Sequence, residues 1–261
     1  MEWSKVKSIL IVLLLIVNLL LGFNIESQIA AQRRAEAAGL HSALTLLSQQ
    51  GARFDEQLFW DMPRSSDVLT GERSAACESK VAGALLGANS LNDAGGGISI
   101  YTSRAGSATF RSGGLFEAEL VDGTTAAQLL EGILKNTEVK GMSCERSESA
   151  GGVSAQLLLE GRAVVGCTLA CQDTAAGARV SGRWYFGQGL RQEGVGVSRA
   201  EMAVALLGLE REKPLKITDL RIVYVQEPVR GGVRFVPVWQ VSGAGGQIFL
   251  NNVTKREITA E

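Results

Sequence analysis

The sequence predicts an α+β fold behind one membrane-spanning helix, and three observations carry that expectation. An almost unbroken apolar run extends from Ile9 to Phe23. Beyond it, a helical segment is followed by about three short strands, and this order recurs three times. Glycine clusters such as Gly95-Gly96-Gly97 and Gly151-Gly152 separate the strands as turns. Helices followed by strand meanders favour helix-on-antiparallel-sheet packing over an alternating βαβ arrangement.

Composition narrows the class. The 261 residues contain 26 basic and 27 acidic side chains, for a net charge of -1, so a nucleic-acid partner with its basic stripe is not expected. Hydrophobic residues make up 46% and charged residues 20%, enough for a packed core and against global disorder.

The N-terminus comes first. Counting Val6 and Ile25, the apolar segment approaches the ~20 residues that a helix needs to cross a ~30 Å hydrocarbon layer. A cleaved signal peptide is the competing reading. The exit Asn24-Ile25-Glu26 offers no small-x-small site, and Gln28 and Ile29 stand where small residues would precede Ala30 and Ala31. A retained anchor is therefore expected: residues 1–7 as a cytoplasmic stub, 8–25 as the transmembrane helix and the rest outside. Lys5 and Lys7 before the span set that orientation by the positive-inside rule, with Arg33 and Arg34 weakening the asymmetry.

Within the span, Ser8, Ile11, Leu15, Asn18 and Gly22 follow a 3/4 spacing and share one helix face. An amide in lipid gains from a partner, and glycine permits close backbone approach, so this face is the candidate contact with another membrane helix. Asn18 bonding its own backbone, with Gly22 incidental, is the plainer alternative.

Residues 26–50 read as a juxtamembrane helix. Alanines from Ala30 to Ala38 favour it, Leu40, Leu44 and Leu47 make an apolar stripe, and Gly51 stops it. Residues 51–261 read as the external domain, with a division into 51–140 and 141–261. Its expected helices run from Thr70 to Leu86 with Cys77, Val81 and Leu85 on one face; from an Asp122 or Thr124 cap to Lys135 with Ala127, Leu130 and Leu134 inward; and from Ser198 to Leu209 with Met202, Leu206 and Leu209 inward. Strands are expected at 98–103, 109–111, 115–120, 154–159, 162–170, 179–186, 215–225, 234–241 and 247–251. Glu160-Gly161 is a hairpin turn.

No pattern points to catalysis, and no enzyme, metal or cofactor is expected. His41 is the single histidine, and no ligand cluster has metal spacing. There is no G-x-S-x-G elbow and no phosphate-binding P-loop. Gly194 and Gly196 begin a dinucleotide fingerprint but lack its third glycine. A Ser–Lys dyad stays open. Glu117 and Glu119 share a strand face as solvated charges. Cys167 and Cys171 share one predicted strand at ~13 Å, beyond disulfide reach. Cys144 with either of them stays possible, and Cys77 reads as a buried apolar residue. Asn252-Val253-Thr254 matches a glycosylation sequon, relevant only in a host that glycosylates.

Both ends of the chain resemble a known family. Met1-Glu2-Trp3-Ser4-Lys5-Val6-Lys7-Ser8-Ile9-Leu10-Ile11, with Asn18-Leu19-Leu20-Leu21-Gly22, is similar to the start of YycI-type regulatory proteins. Val236-Pro237-Val238-Trp239-Gln240-Val241, then Gln247-Ile248-Phe249-Leu250-Asn251, resembles their closing strands, and Leu220-Arg221-Ile222-Val223-Tyr224 fits the strand before them. The middle carries no matching motif, and the cysteines and abundant Ala and Gly depart from the family. The resemblance implies a non-enzymatic α+β protein of the Gram-positive cell membrane. It also implies that the protein modulates a sensor histidine kinase of WalK type that controls cell-wall metabolism, together with a YycH-like protein. An extracytoplasmic binding module for wall polymer or peptide is the alternative, with Trp184, Tyr185 and Phe186, or Trp239 and Phe235, as its contacts.

Overall fold

No break in the helix follows the apolar run. Trp3–Gln49 form one uninterrupted α-helix of 47 residues, α1, about 70 Å long at 1.5 Å per residue. The expected transmembrane and juxtamembrane helices are thus one element. Alanine-rich sequence after Glu26 gives the backbone no reason to leave the helix. The helix stops at Gly51 in a left-handed conformation (φ 86°). There the amide of Ala52 donates to the Leu47 carbonyl and that of Gly51 to Ser48, the paired bonds of a Schellman motif. The computed structural model describes residues 3–63, 66–121, 123–194, 199–209, 215–243, 246–251, 254 and 257–258.

After α2 (Gln57–Trp60) the chain forms β1 (Leu69–Glu72), α3 (Ala75–Leu86), β2 (Ser90–Gly95), β3 (Ile98–Ser103), β4 (Gly106–Phe110), a short 3-10 turn at Ser112–Gly114 and β5 (Leu115–Leu120). Then follow α4 (Ala126–Asn136), β6 (Met142–Ser149), β7 (Gly152–Leu159), β8 (Arg162–Asp173), β9 (Ala178–Arg183) and β10 (Arg191–Gln192). The chain closes with α5 (Arg199–Leu207), β11 (Ile217–Val229), β12 (Gly232–Gly243), β13 (Gly246–Asn251) and β14 (Glu257–Ile258). The fold class is α+β, as expected.

The strands join in one sheet of order β10-β1-β12-β11-β8-β9-β5-β4-β3-β2, with β13 and β14 continuing from β12 and β6 joined through β7 to β8. Pairing between the named strands is antiparallel, except where Tyr224 and Val225 meet Val164 and Val165 in parallel. Strand β8 is the junction: it pairs with β7, with β9 at Leu169–Asp173 and with β11 at Val164–Val165. Gly166 (φ 72°) lies at its irregularity.

Three sequence expectations need correction. Residues 70–86 are not one helix: Leu69–Glu72 pair with β12, and α3 starts only after Ser74, whose side chain accepts from the Cys77 amide. In α4 the cap is Thr125, in a reciprocal box with Gln128; the buried residues are Ala126, Leu129, Leu130 and Ile133, Leu134 packs partly buried against the core as expected, and Ala127 is exposed. Strand β9 ends at Arg183, and Trp184–Phe186 leave the sheet for the core. The proposed caps Asp122 and Ser198, together with Gly196 and Asn252-Val253, lie outside the described residues.

Two apolar cores form, and they do not divide at residue 140. The first runs from Leu69 to Phe186 and adds Tyr224, Val233 and Phe235. The second joins Leu40, Leu44 and Leu47 of α1 to Met202, Leu206 and Trp239. The β11–β12 ribbon serves both. Its register sets Ile222 opposite Trp239 and Gln226 opposite Phe235. Strand alternation puts these four side chains on one face. One stiff ribbon therefore touches the second core at Trp239 and the first core at Phe235.

Candidate functional site: the seat of the membrane helix

The outer part of α1 carries the predicted contact face. Ile11, Leu15, Asn18 and Gly22 are all exposed, and nothing lies within 4 Å of a side chain built at Gly22. Ser8 is helical, and its side chain lies outside the description. Among the described residues α1 is the one helix long and apolar enough to cross a membrane. No protein atoms cover Leu10 to Leu21, each large apolar residue there being at least 44% exposed.

The inner part of α1 is seated on the domain. Leu40, Ala43, Leu44 and Leu47 are buried against Met202, Ala203 and Leu206 of α5 and against Ile222 and Trp239 of the ribbon. A side chain built at Gly39 would stand 3.7 Å from the Ala200 Cβ. The sequence stripe Leu40, Leu44, Leu47 thus packs on the domain, and Met202 and Leu206, inward as expected, complete the seat. Leu209 lies at its edge, partly buried.

Arg199 closes the top of the seat. Its side chain is 10% exposed, and its Nε lies 3.7 Å from Glu36 Oε1 of α1. Nη1 donates to the Trp60 carbonyl at 2.6 Å, and the guanidinium sits 5.4 Å from the Trp60 ring centroid. One cation therefore ties α1, α2 and α5 together. Glu36 Oε1 and Arg199 Nε have no hydrogen-bond partner, so the pair is coulombic without a direct bond. In a half-desolvated setting such a pair is worth more than a surface one. Sequence reasoning missed both residues, although Glu36 lies one turn before Leu40 on the seated stripe.

The seat and the outer face point the same way. Asn18 and Glu36 are eighteen residues apart, as are Gly22 and Leu40. Eighteen residues make about five turns at 3.6 per turn. A helix packed on Asn18 and Gly22 would therefore stand on the domain's side of α1.

A second polar cluster lies in the first core. Glu78 is 1% exposed, and Arg73 grips it with Nε and with Nη2 at 3.0 Å. The remaining donors of Arg73 go to the Gly97 carbonyl, Ser99 Oγ and the Phe110 carbonyl. The Glu78 carboxylate and its hydrogen bond hold the Arg73 guanidinium pKa above its ordinary value. Beside this fork lies a cavity of about 190 Å³, lined by Ser112–Gly114, Trp184–Phe186 and Val233. Trp184, Tyr185, Phe186, Phe235 and Trp239 are all buried. They are core side chains, not exposed contacts.

His41 is exposed on α1, and among the described residues no cluster of three or more His, Cys, Asp or Glu is arranged to hold a metal. Glu117 and Glu119 face solvent on β5. All four cysteines are free. Cys144 sits on β6, and β7 separates it from the strand of Cys167 and Cys171. Two strand spacings amount to ~10 Å, beyond disulfide reach. Burial raises the thiol pKa of Cys167 and Cys77, and pushes that of Cys171 up to about 12. Buried neutral thiols are poor nucleophiles.

Comparisons with protein-family models, with curated proteins and with solved structures find no match to this chain.

Proposed function

We propose that this protein is a single-pass membrane regulator that acts by protein–protein contact. Its domain lies outside the cytoplasm, and its targets are a sensor histidine kinase of WalK type and a YycH-like protein. One observation carries the reading: the helix long and apolar enough to cross a bilayer is the same helix that is buried in the domain. A tether needs no such continuity. A lever does, because a rigid helix moves its membrane face whenever its seat moves. Partner binding outside would then reposition the face of Ser8, Ile11, Leu15, Asn18 and Gly22. Differential contact with two states of the kinase shifts their populations. The resemblance of both chain ends to YycI-type proteins supplies the identity of the partners.

The test is crosslinking in native membranes with a photoreactive residue at Leu15. Adducts to a histidine kinase or a YycH-like protein support the reading. Lipid adducts alone, from intact anchored protein, overturn it.

The cavity beside Arg73 and Glu78 favours a second reading, an external module that binds wall polymer or peptide. Its size suits one small group of such a ligand. Retention of the protein on wall fragments, lost on filling the cavity with Val233→Phe, would support it. Equal retention of both proteins would exclude this site.

A further inference from the structure

We propose that Arg33 and Arg34 bind lipid phosphates in the leaflet on the domain's side, fixing the depth of α1 and the height of the domain above the bilayer. The inference rests on reading α1 as a membrane span.

The geometry is set by one continuous helix. The apolar segment ends at Ile25, and Glu26 follows it. Arg33 and Arg34 stand eight and nine residues further along the same helix, about 12–14 Å above Ile25 at 1.5 Å per residue. Helical side chains lean towards the N-terminus, here towards the membrane. An arginine that follows this lean reaches back over about one turn, ~5 Å. Its guanidinium then lies ~7–9 Å beyond Ile25, at or just past the outer edge of the headgroup layer, which adds ~5–7 Å to each side of the hydrocarbon.

Two further observations agree. Both arginines are exposed, and neither has an acidic partner among the described residues. On the opposite side of the span stands Lys7. From Lys7 to Arg33 is 26 residues of continuous helix, ~39 Å, close to the ~40–45 Å thickness of a whole bilayer. Basic side chains thus mark both headgroup layers. Because Glu36 and Leu40 enter the seat within two turns of Arg34, a phosphate clamp here would hold the domain close above the membrane. Guanidinium suits the task, since its planar fork matches phosphate oxygens.

The test uses the full chain with 13C-labelled arginine in phosphatidylglycerol–phosphatidylcholine vesicles, in phosphate-free buffer. Solid-state NMR reads dephasing of guanidinium carbons by lipid 31P. The expected result is a dephased population that disappears in R33Q/R34Q, while the helical signals of α1 stay in the bilayer. A wild-type protein inserted in the bilayer but without 31P-dephased guanidinium, or dephasing unchanged in R33Q/R34Q, would overturn the clamp. Absence of α1 from the bilayer would instead overturn the membrane reading.

Discussion

Arg199 Nε stands 3.7 Å from Glu36 Oε1, joining the long apolar helix α1 to the first turn of α5. Both groups are shielded, and the same guanidinium caps Trp60. Removing one partner leaves the other charge poorly solvated. Arg199→Met is therefore expected to destabilise the protein by about 2 kcal/mol, and Glu36→Gln by about 1 kcal/mol. In a double-mutant cycle the two should couple by about 1 kcal/mol. Chemical denaturation of the full chain in micelles measures all three. Additive effects would mean that the two charges do not act as a pair.

Glycines make a second prediction, because two of them differ in what surrounds them. Gly114 has φ 77°, and a side chain there would meet the Trp184 carbonyl oxygen at 2.3 Å. Gly114→Ala adds left-handed strain to a backbone clash and should cost about 3 kcal/mol. Gly83 lies on the exposed side of α3 with nothing within 4 Å. Gly83→Ala should stabilise by about 0.5–1 kcal/mol through helix propensity. Thermal unfolding of the two variants should move Tm in opposite directions.

The cysteines predict an alkaline limit. Burial pushes Cys171 from an ordinary 9.0 up to about 12. From pH 9 towards 12 the unfolded chain has lost this proton and the folded chain keeps it. The unfolded state then binds fewer protons, so stability is complete below pH 9 and falls as pH rises. Denaturation at pH 8, 9 and 10 should show the fall, and Cys171→Ala should make it shallower. A thiol reagent at neutral pH should label Cys144, which is half-buried, well before the other three.

Much of this fold is legible in the sequence where the signal is local. The Glu160-Gly161 hairpin is present, with both residues at positive φ (51° and 77°). Strand β5 alternates as expected, with Phe116, Ala118 and Leu120 buried and the two glutamates outside. Trp239 anchors a core. The failure at residues 70–86 has its cause in long-range pairing. Leu69–Glu72 become a strand because β12, more than 150 residues away, supplies the partner. The Thr125-x-x-Gln128 box was readable and would have placed the α4 cap correctly. At the seat, the apolar stripe was legible but Arg199 was not, because nothing local shows that it faces Glu36.

The continuity of α1 is the claim on which the lever depends, and pulsed electron paramagnetic resonance tests it directly. Nitroxides at Phe23→Cys and Leu46→Cys, in a Cys144→Ser background, flank the membrane exit and the seat at two exposed positions. Twenty-three residues of unbroken helix predict one narrow distance distribution near ~35 Å in vesicles. A broad or two-peaked distribution would place a hinge between membrane and seat, and the helix would then be a tether rather than a lever.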